Sequence, residues 1–147
     1  MKILFICRGN VGRSQMAEAL FKKYSNADAV SAGTRVPTEG PGKEGKELQN
    51  IPVAEPVVRC LLETEGIDAS HNKNKQVKEE MLSGIDKIII MAELETIPNY
   101  LLNDKRSIFW TIDDPLKHSY EYYCRILAQI KSRVLELIEK LAVSQLA

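Results

Sequence analysis

The chain has 147 residues, enough for one domain that buries about two thirds of its unfolded surface, and residues 1–147 are read as a single unit. Its 20 basic and 20 acidic residues cancel, which excludes a general attraction to nucleic acid or to a membrane surface. The apolar N-terminal run, Ile3 to Ile6, is interrupted at Arg8 and is too short for a signal peptide or a membrane span, so a cytoplasmic protein is expected.

Ile3-Leu4-Phe5-Ile6 is short, branched and continuously apolar, the pattern of a buried parallel strand over 2–6. Ala17, Leu20, Phe21 and Tyr24 then recur at helical spacing and predict a helix over 14–24, with Ser14 available as its N-cap. A second strand is expected over 28–32. Residues 33–50 hold Gly33, Pro37, Gly40, Pro41, Gly42 and Gly45, which mark a long surface loop. A helix over 55–65 has Pro56 in its first turn and Gly66 as its stop. Further on come a short helix over 77–83, a strand over 87–91 and a helix over 93–102 that Pro98 can break into two pieces. The last strand, 107–110, ends at Trp110, and a final helix over 119–142 carries Ile126, Ile130, Val134, Leu137 and Leu141 on one face. This alternation predicts an α/β fold: one domain, a four-stranded parallel sheet flanked by helices on both sides. Its ligand is expected at the carboxyl ends of the strands.

The first strand-to-helix turn reads Cys7-Arg8-Gly9-Asn10-Val11-Gly12-Arg13-Ser14. Strand, turn and helix place the amides of residues 8 to 13 around one concavity at a helix N-terminus, where oriented N–H groups and the helix dipole hold anions. The same environment favours thiolate over thiol, which would make Cys7 a nucleophile. Arg13 offers a planar fork for two oxygens of a tetrahedral oxyanion. Ser14 can donate to the Cys7 sulfur, Gly9 and Gly12 permit close approach, and Asn10 tolerates a left-handed backbone and can tie the loop. On these residues alone an inert buried cysteine also remains open.

Asp113-Asp114-Pro115 is a second candidate. A carboxylic acid over an anion pocket can protonate a leaving alkoxide or phenoxide, but Asp-Pro is equally at home in an ordinary turn. Cys60 and Cys124 sit among apolar residues and read as core-lining thiols of a reducing compartment; together with Cys7 they have neither a paired framework nor metal spacing, so neither metal nor cofactor is expected. His71 and His118 stand in polar loops without companion ligands. Tyr120, Tyr122 and Tyr123 are open between helix packing and pocket wall, and Lys73, Lys75 and Lys78 form a solvated basic stretch.

The run from Phe5 to Ala19 resembles the N-terminal signature of the low-molecular-weight protein tyrosine phosphatases and the related thiol arsenate reductases. Ser31-Ala32-Gly33, Gly66-Ile67-Asp68, Lys75-Gln76, Ile88-Ile89-Ile90-Met91 and Asp113-Asp114-Pro115 resemble further family segments in order, so the likeness spans nearly the whole chain. It implies Cys7 as nucleophile, Arg13 as phosphoryl clamp and Asp114, directly before Pro115, as the acid. Arg8, Gly9, Asn10, Val11, Gly12, Arg13 and Ser14 would form the substrate-binding loop. Three departures bear on specificity. Gly12 stands where relatives often have a second cysteine, so Cys7 has no disulfide partner inside the loop. Residues 34–47 hold no aromatic to stack on a phenyl ring, and Arg8 is usually a smaller residue.

The implied activity is phosphomonoester hydrolysis through a cysteinyl-phosphate. The substrate would be a phosphorylated protein or a small phosphomonoester, with inorganic phosphate or another oxyanion as a loop ligand, and with no nucleic-acid or membrane partner. The alternative is an arsenate reductase, because Gln15-Met16-Ala17-Glu18 and the Trp110-to-Pro115 segment look more like that branch. Residues 91–103 contain no cysteine, so only coupling to a small thiol would serve. A non-catalytic phosphate-binding module is the third possibility.

Overall fold

A computed structural model describes residues 1–146. Four strands, β1 (Lys2–Cys7), β2 (Asp28–Gly33), β3 (Lys87–Ile90) and β4 (Ser107–Phe109), form a sheet in the order β2-β1-β3-β4. All three pairings are parallel, with Ile6 opposite Ala32 on one side and Ile90 on the other. β1 is therefore central, with its sequence neighbour β2 on one flank and β3 on the other. The chain reverses its direction of winding there, and the loops at the carboxyl ends of β1 and β3 splay apart to leave a crevice.

The sheet is covered on both faces, but unequally. Ile3, Phe5 and Ile89 point into a cluster with α1 (Arg13–Tyr24), α3 (Glu55–Glu65) and α5 (Tyr120–Leu146). Leu4, Ile6, Ile88 and Ile90 point the other way, into a smaller cluster with Val77, Leu82, Ile97 and Leu101. That second face is closed by short pieces only: two 3₁₀ turns, Glu79–Leu82 and Leu94–Thr96, and the four-residue helix α4 (Asn99–Leu102). Both faces of β1 are buried, which is why its sequence is continuously apolar rather than alternating.

Several expected elements are shorter than their sequence patterns suggest. The helix expected over 77–83 is only the 3₁₀ turn Glu79–Leu82. The one expected over 93–102 is broken at Pro98, whose extended φ and ψ of −67° and 153° precede α4. The loop over 33–50 contains one helical turn, α2 (Val36–Glu39), and a 3₁₀ turn, Leu48–Asn50. On α5, Ile126, Ile130, Val134, Leu137 and Leu141 are all buried. Among the described residues no helix is long and apolar enough to cross a membrane.

Candidate active site

β1 delivers Cys7 to the floor of a cavity of about 140 Å³, where the thiol is 3% exposed. Helix α1 begins six residues later at Arg13, so the intervening loop must reverse direction in very little chain. Asn10 makes the reversal possible with φ 56°. Its fully buried amide group then locks the loop: Nδ2 donates to Ser14 Oγ (2.8 Å) and Ser31 Oγ (3.0 Å), while Oδ1 accepts from the Lys75 amide (2.8 Å). Among the described residues, the amides of Gly9, Asn10, Val11 and Gly12 donate to no protein acceptor. A row of unspent donors at a helix N-terminus can hold an anion.

Ser14 differs from its expected place. The N-cap of α1 is Gly12, which makes no side-chain cap, and Ser14 lies one residue inside the helix. Its hydroxyl is 2.9 Å from Cys7 Sγ and accepts from Asn10 Nδ2, so it is committed to the sulfur and the loop. At Gly12 a Cβ would meet no protein atom closer than Val57 Cγ2, at 4.0 Å. The tight contact falls instead at Gly33, at the end of β2. A Cβ on Gly33 would lie 2.6 Å from the Arg8 carbonyl oxygen and 2.9 Å from the Asn10 nitrogen. The sequence puts Gly33 directly after the expected second strand, but the backbone it packs against is distant in the chain.

Arg13 is 2% exposed and heavily bonded. Nη1 donates to the Met91 carbonyl (2.6 Å), the Ile112 carbonyl (3.0 Å) and Glu93 Oε2 (3.0 Å), and Nη2 donates to Glu93 Oε1 (3.1 Å). Burial opposes the guanidinium charge, but Cys7, Glu93 and Asp114 outweigh it and raise the Arg13 pKa above its usual value. Glu93 is correspondingly held below the usual carboxylate range: its partial burial is overcome by the Arg13 hydrogen bonds and charge, with Arg8 adding to them. The sequence pattern did not single out Glu93. Its role depends on β3 ending beside β1, which brings positions 80 residues apart into one ion pair.

Asp114 and Asp113 are separated by the fold. Asp114 lines the cavity with Oδ2 2.9 Å from Arg8 Nη2 and 3.7 Å from Arg13 Nη2, and its Oδ1 accepts from the Leu116 amide (3.1 Å). Asp113 is exposed and accepts from the Tyr122 hydroxyl at 3.2 Å. Arg8 occupies the rim, about a quarter exposed, between Asp114, Glu93 (3.7 Å) and Glu39 (3.9 Å). Val11, Val53, Val57, Leu116 and Tyr123 supply apolar walls. Of the three tyrosines, Tyr123 lines the cavity, whereas Tyr122 stacks on His118 at 4.4 Å and Tyr120 lies under the Arg59 guanidinium at 3.7 Å. His71 is outside the site, bonded to Glu47 at 2.7 Å.

The chain is similar to known proteins over nearly its whole length. Residues 2–146 match the family model described as "Low molecular weight phosphotyrosine protein phosphatase". An arsenate reductase of Brevibacillus brevis is 28% identical, with 93% of each chain covered. A low molecular weight protein-tyrosine-phosphatase of Bacillus subtilis is 32% identical over 62% of this chain and 56% of its own. The crystal structure of a low molecular weight protein tyrosine phosphatase from T. tengcongensis superposes with a TM-score of 0.77 at 26% identity, covering 95% of this chain and 99% of that one.

Proposed function

Since the chain belongs to the low molecular weight phosphotyrosine protein phosphatase family, whose members act through a cysteine, we propose that it hydrolyses phosphomonoesters by way of a cysteinyl-phosphate on Cys7. The observation that carries this reading is the convergence of Cys7, Arg13 and Asp114 on one cavity whose floor amides are unspent. A phosphoryl group seated on those amides presents phosphorus to Sγ. Of the five guanidinium donors, the Arg13 Nε–H has no acceptor among the described residues, so it is available together with the second Nη2 hydrogen to clamp two oxygens. Ser14 Oγ, 2.9 Å from the sulfur, steadies the thiolate as it attacks and again as it leaves. Asp114 protonates the departing oxygen and then takes a proton from the water that attacks the cysteinyl-phosphate.

Arg8 and the apolar walls bear on the substrate. A cation at the rim suits a phosphorylated protein or small phosphomonoester with a second anionic group, and Tyr123 supplies an aromatic surface that residues 34–47 lack. The cytoplasm, a reducing compartment, suits three free thiols.

A specific observation favours arsenate reduction as the second reading: the Brevibacillus brevis arsenate reductase is similar over nearly its whole length. Arsenate mimics phosphate and would occupy the same nest. Residues 91–103 bring no cysteine to it, so the electrons would come from an external small thiol. The deciding experiment gives purified protein p-nitrophenyl phosphate, and separately arsenate with glutathione. Phosphatase turnover, with a cysteinyl-phosphate trapped on the Cys7 peptide by mass spectrometry, is expected. Arsenite production without ester hydrolysis overturns the phosphatase reading.

A further inference from the structure

Cys60 and Cys124 lie 64 residues apart in the chain, one in the middle of α3 and the other in the first turns of α5. Their sulfurs are 3.2 Å apart. Two helices packed face to face hold them there, so the approach is set by the fold and not by a mobile loop. We propose that Cys60 and Cys124 form a dithiol–disulfide couple, a covalent redox site outside the nucleophile's loop that staples α3 to α5 when a disulfide or peroxide oxidant is supplied. Bond formation requires the sulfurs to close by only about 1 Å.

The two thiols are unequal, which orders the chemistry. Cys60 is fully buried, and burial together with the neighbouring Cys124 pushes its thiol up to about 12. Cys124 is only partly buried. With a glutathione-type disulfide, the Cys124 thiolate attacks one sulfur and expels a glutathione thiolate, leaving a mixed disulfide. The Cys60 sulfur then attacks Cys124 Sγ, the second glutathione leaves, and the Cys60 proton goes to that leaving thiolate. Both cysteines are oxidised and one oxidant disulfide is reduced to two thiols. With peroxide, Cys124 becomes a sulfenic acid and Cys60 displaces its hydroxyl as water.

The staple borders the active site without including it. Cys60 follows Val57 by one turn of α3, and Cys124 is the next residue after Tyr123; Val57 and Tyr123 both line the cavity. Oxidation therefore ties two of its walls together while leaving Cys7 free, and it does not depend on which reaction Cys7 performs.

The test treats reduced protein with oxidised glutathione, alkylates the remaining thiols under denaturing conditions and maps the peptides. Cys60→Ala and Cys124→Ala are treated in parallel. Wild type is expected to yield one cross-linked peptide pair through Cys60 and Cys124, reversible by dithiothreitol, with Cys7 still alkylated. The cross-link should raise Tm by roughly 5–15 °C, because it closes a long loop in the unfolded chain. Cys60→Ala should stop at glutathionylated Cys124. The proposal is overturned if wild type also stops at that mixed disulfide, if Cys124 does not react, or if the cross-link engages Cys7. The wild-type map decides even if neither variant folds.

Discussion

Arg13 illustrates how much of the cavity's construction is spent on holding one side chain still. Its guanidinium is gripped from behind by two carbonyls and by both oxygens of Glu93, so only the edge facing the cavity is left for an oxyanion. Glu93 is thus a positioning residue, and it opposes itself electrostatically by placing a negative charge near a phosphate. Glu93→Gln should lower kcat about 10–100-fold through misplacement of the fork, while inhibition by inorganic phosphate changes less, because loss of the repelling charge offsets the looser clamp. Steady-state kinetics with phosphate inhibition measures both; weakened phosphate inhibition at unchanged kcat would contradict the assignment. The two neighbouring aspartates make a second comparison. Asp114 faces the cavity and Asp113 faces Tyr122, so Asp114→Asn alone should steepen the dependence of single-turnover rate on leaving-group pKa. A steeper slope for Asp113→Asn would move the acid to that residue. The Asp-Pro pair was legible in the sequence, whereas the direction in which each carboxylate points depends on the turn that Asp114 caps at Leu116.

Among the elements, the ends of the strands and helices matter more than their middles. The end of β2 packs directly beneath the Cys7–Ser14 loop, and Gly33→Ala would drive a Cβ into two backbone atoms that cannot rotate away. The expected cost is about 1–3 kcal/mol of stability, with activity lost by at least tenfold as the Arg8–Asn10 backbone shifts. Thermal denaturation and turnover of the variant check this, and a fully active Gly33→Ala protein would show that the loop is not seated on β2. At the far end of α3, Glu65 joins three helices by accepting from Lys23 and Tyr24 of α1 and Lys131 of α5. Burial works against its charge, yet those three partners hold its carboxyl at about 2. A carboxyl held below its unfolded value stabilises the fold above that unfolded value and stops doing so as pH falls toward the folded one. Its contribution is therefore full above about pH 4.5 and fades toward pH 2. Glu65→Gln should cost about 1–3 kcal/mol at neutral pH and flatten the loss of stability between those limits, read from urea denaturation against pH. The helices themselves were readable from their apolar spacing, since α5 buries the whole expected stripe. The short pieces on the other face were not, because four-residue elements contain less than two turns of pattern.

For the whole molecule, one property follows from an anion site built of backbone amides across the sheet's carboxyl edge: a bound anion stabilises the fold that makes the site. Inorganic phosphate at about 100 times its dissociation constant should add about 2.7 kcal/mol, or roughly 5–10 °C in Tm. Cys7→Ser should keep that shift, since the amides and Arg13 stay in place, while Arg13→Lys should reduce it by losing the bidentate fork. Calorimetric scans with and without phosphate measure it, and no shift in wild type would place the anion elsewhere. By itself the sequence determined the succession of strands and long helices, the parallel α/β architecture and the Cys7–Ser14 turn between β1 and α1. These rest on local periodicity and on a signature packed into eight consecutive residues, Cys7 to Ser14. Only the tertiary structure decided that Glu93 holds Arg13, that Gly33 has no room for a Cβ, that Ser14 lies against the sulfur, and that Cys60 meets Cys124. Each of those depends on where separate elements come to rest against one another, and contacts between distant parts of the chain leave no periodic mark within either part.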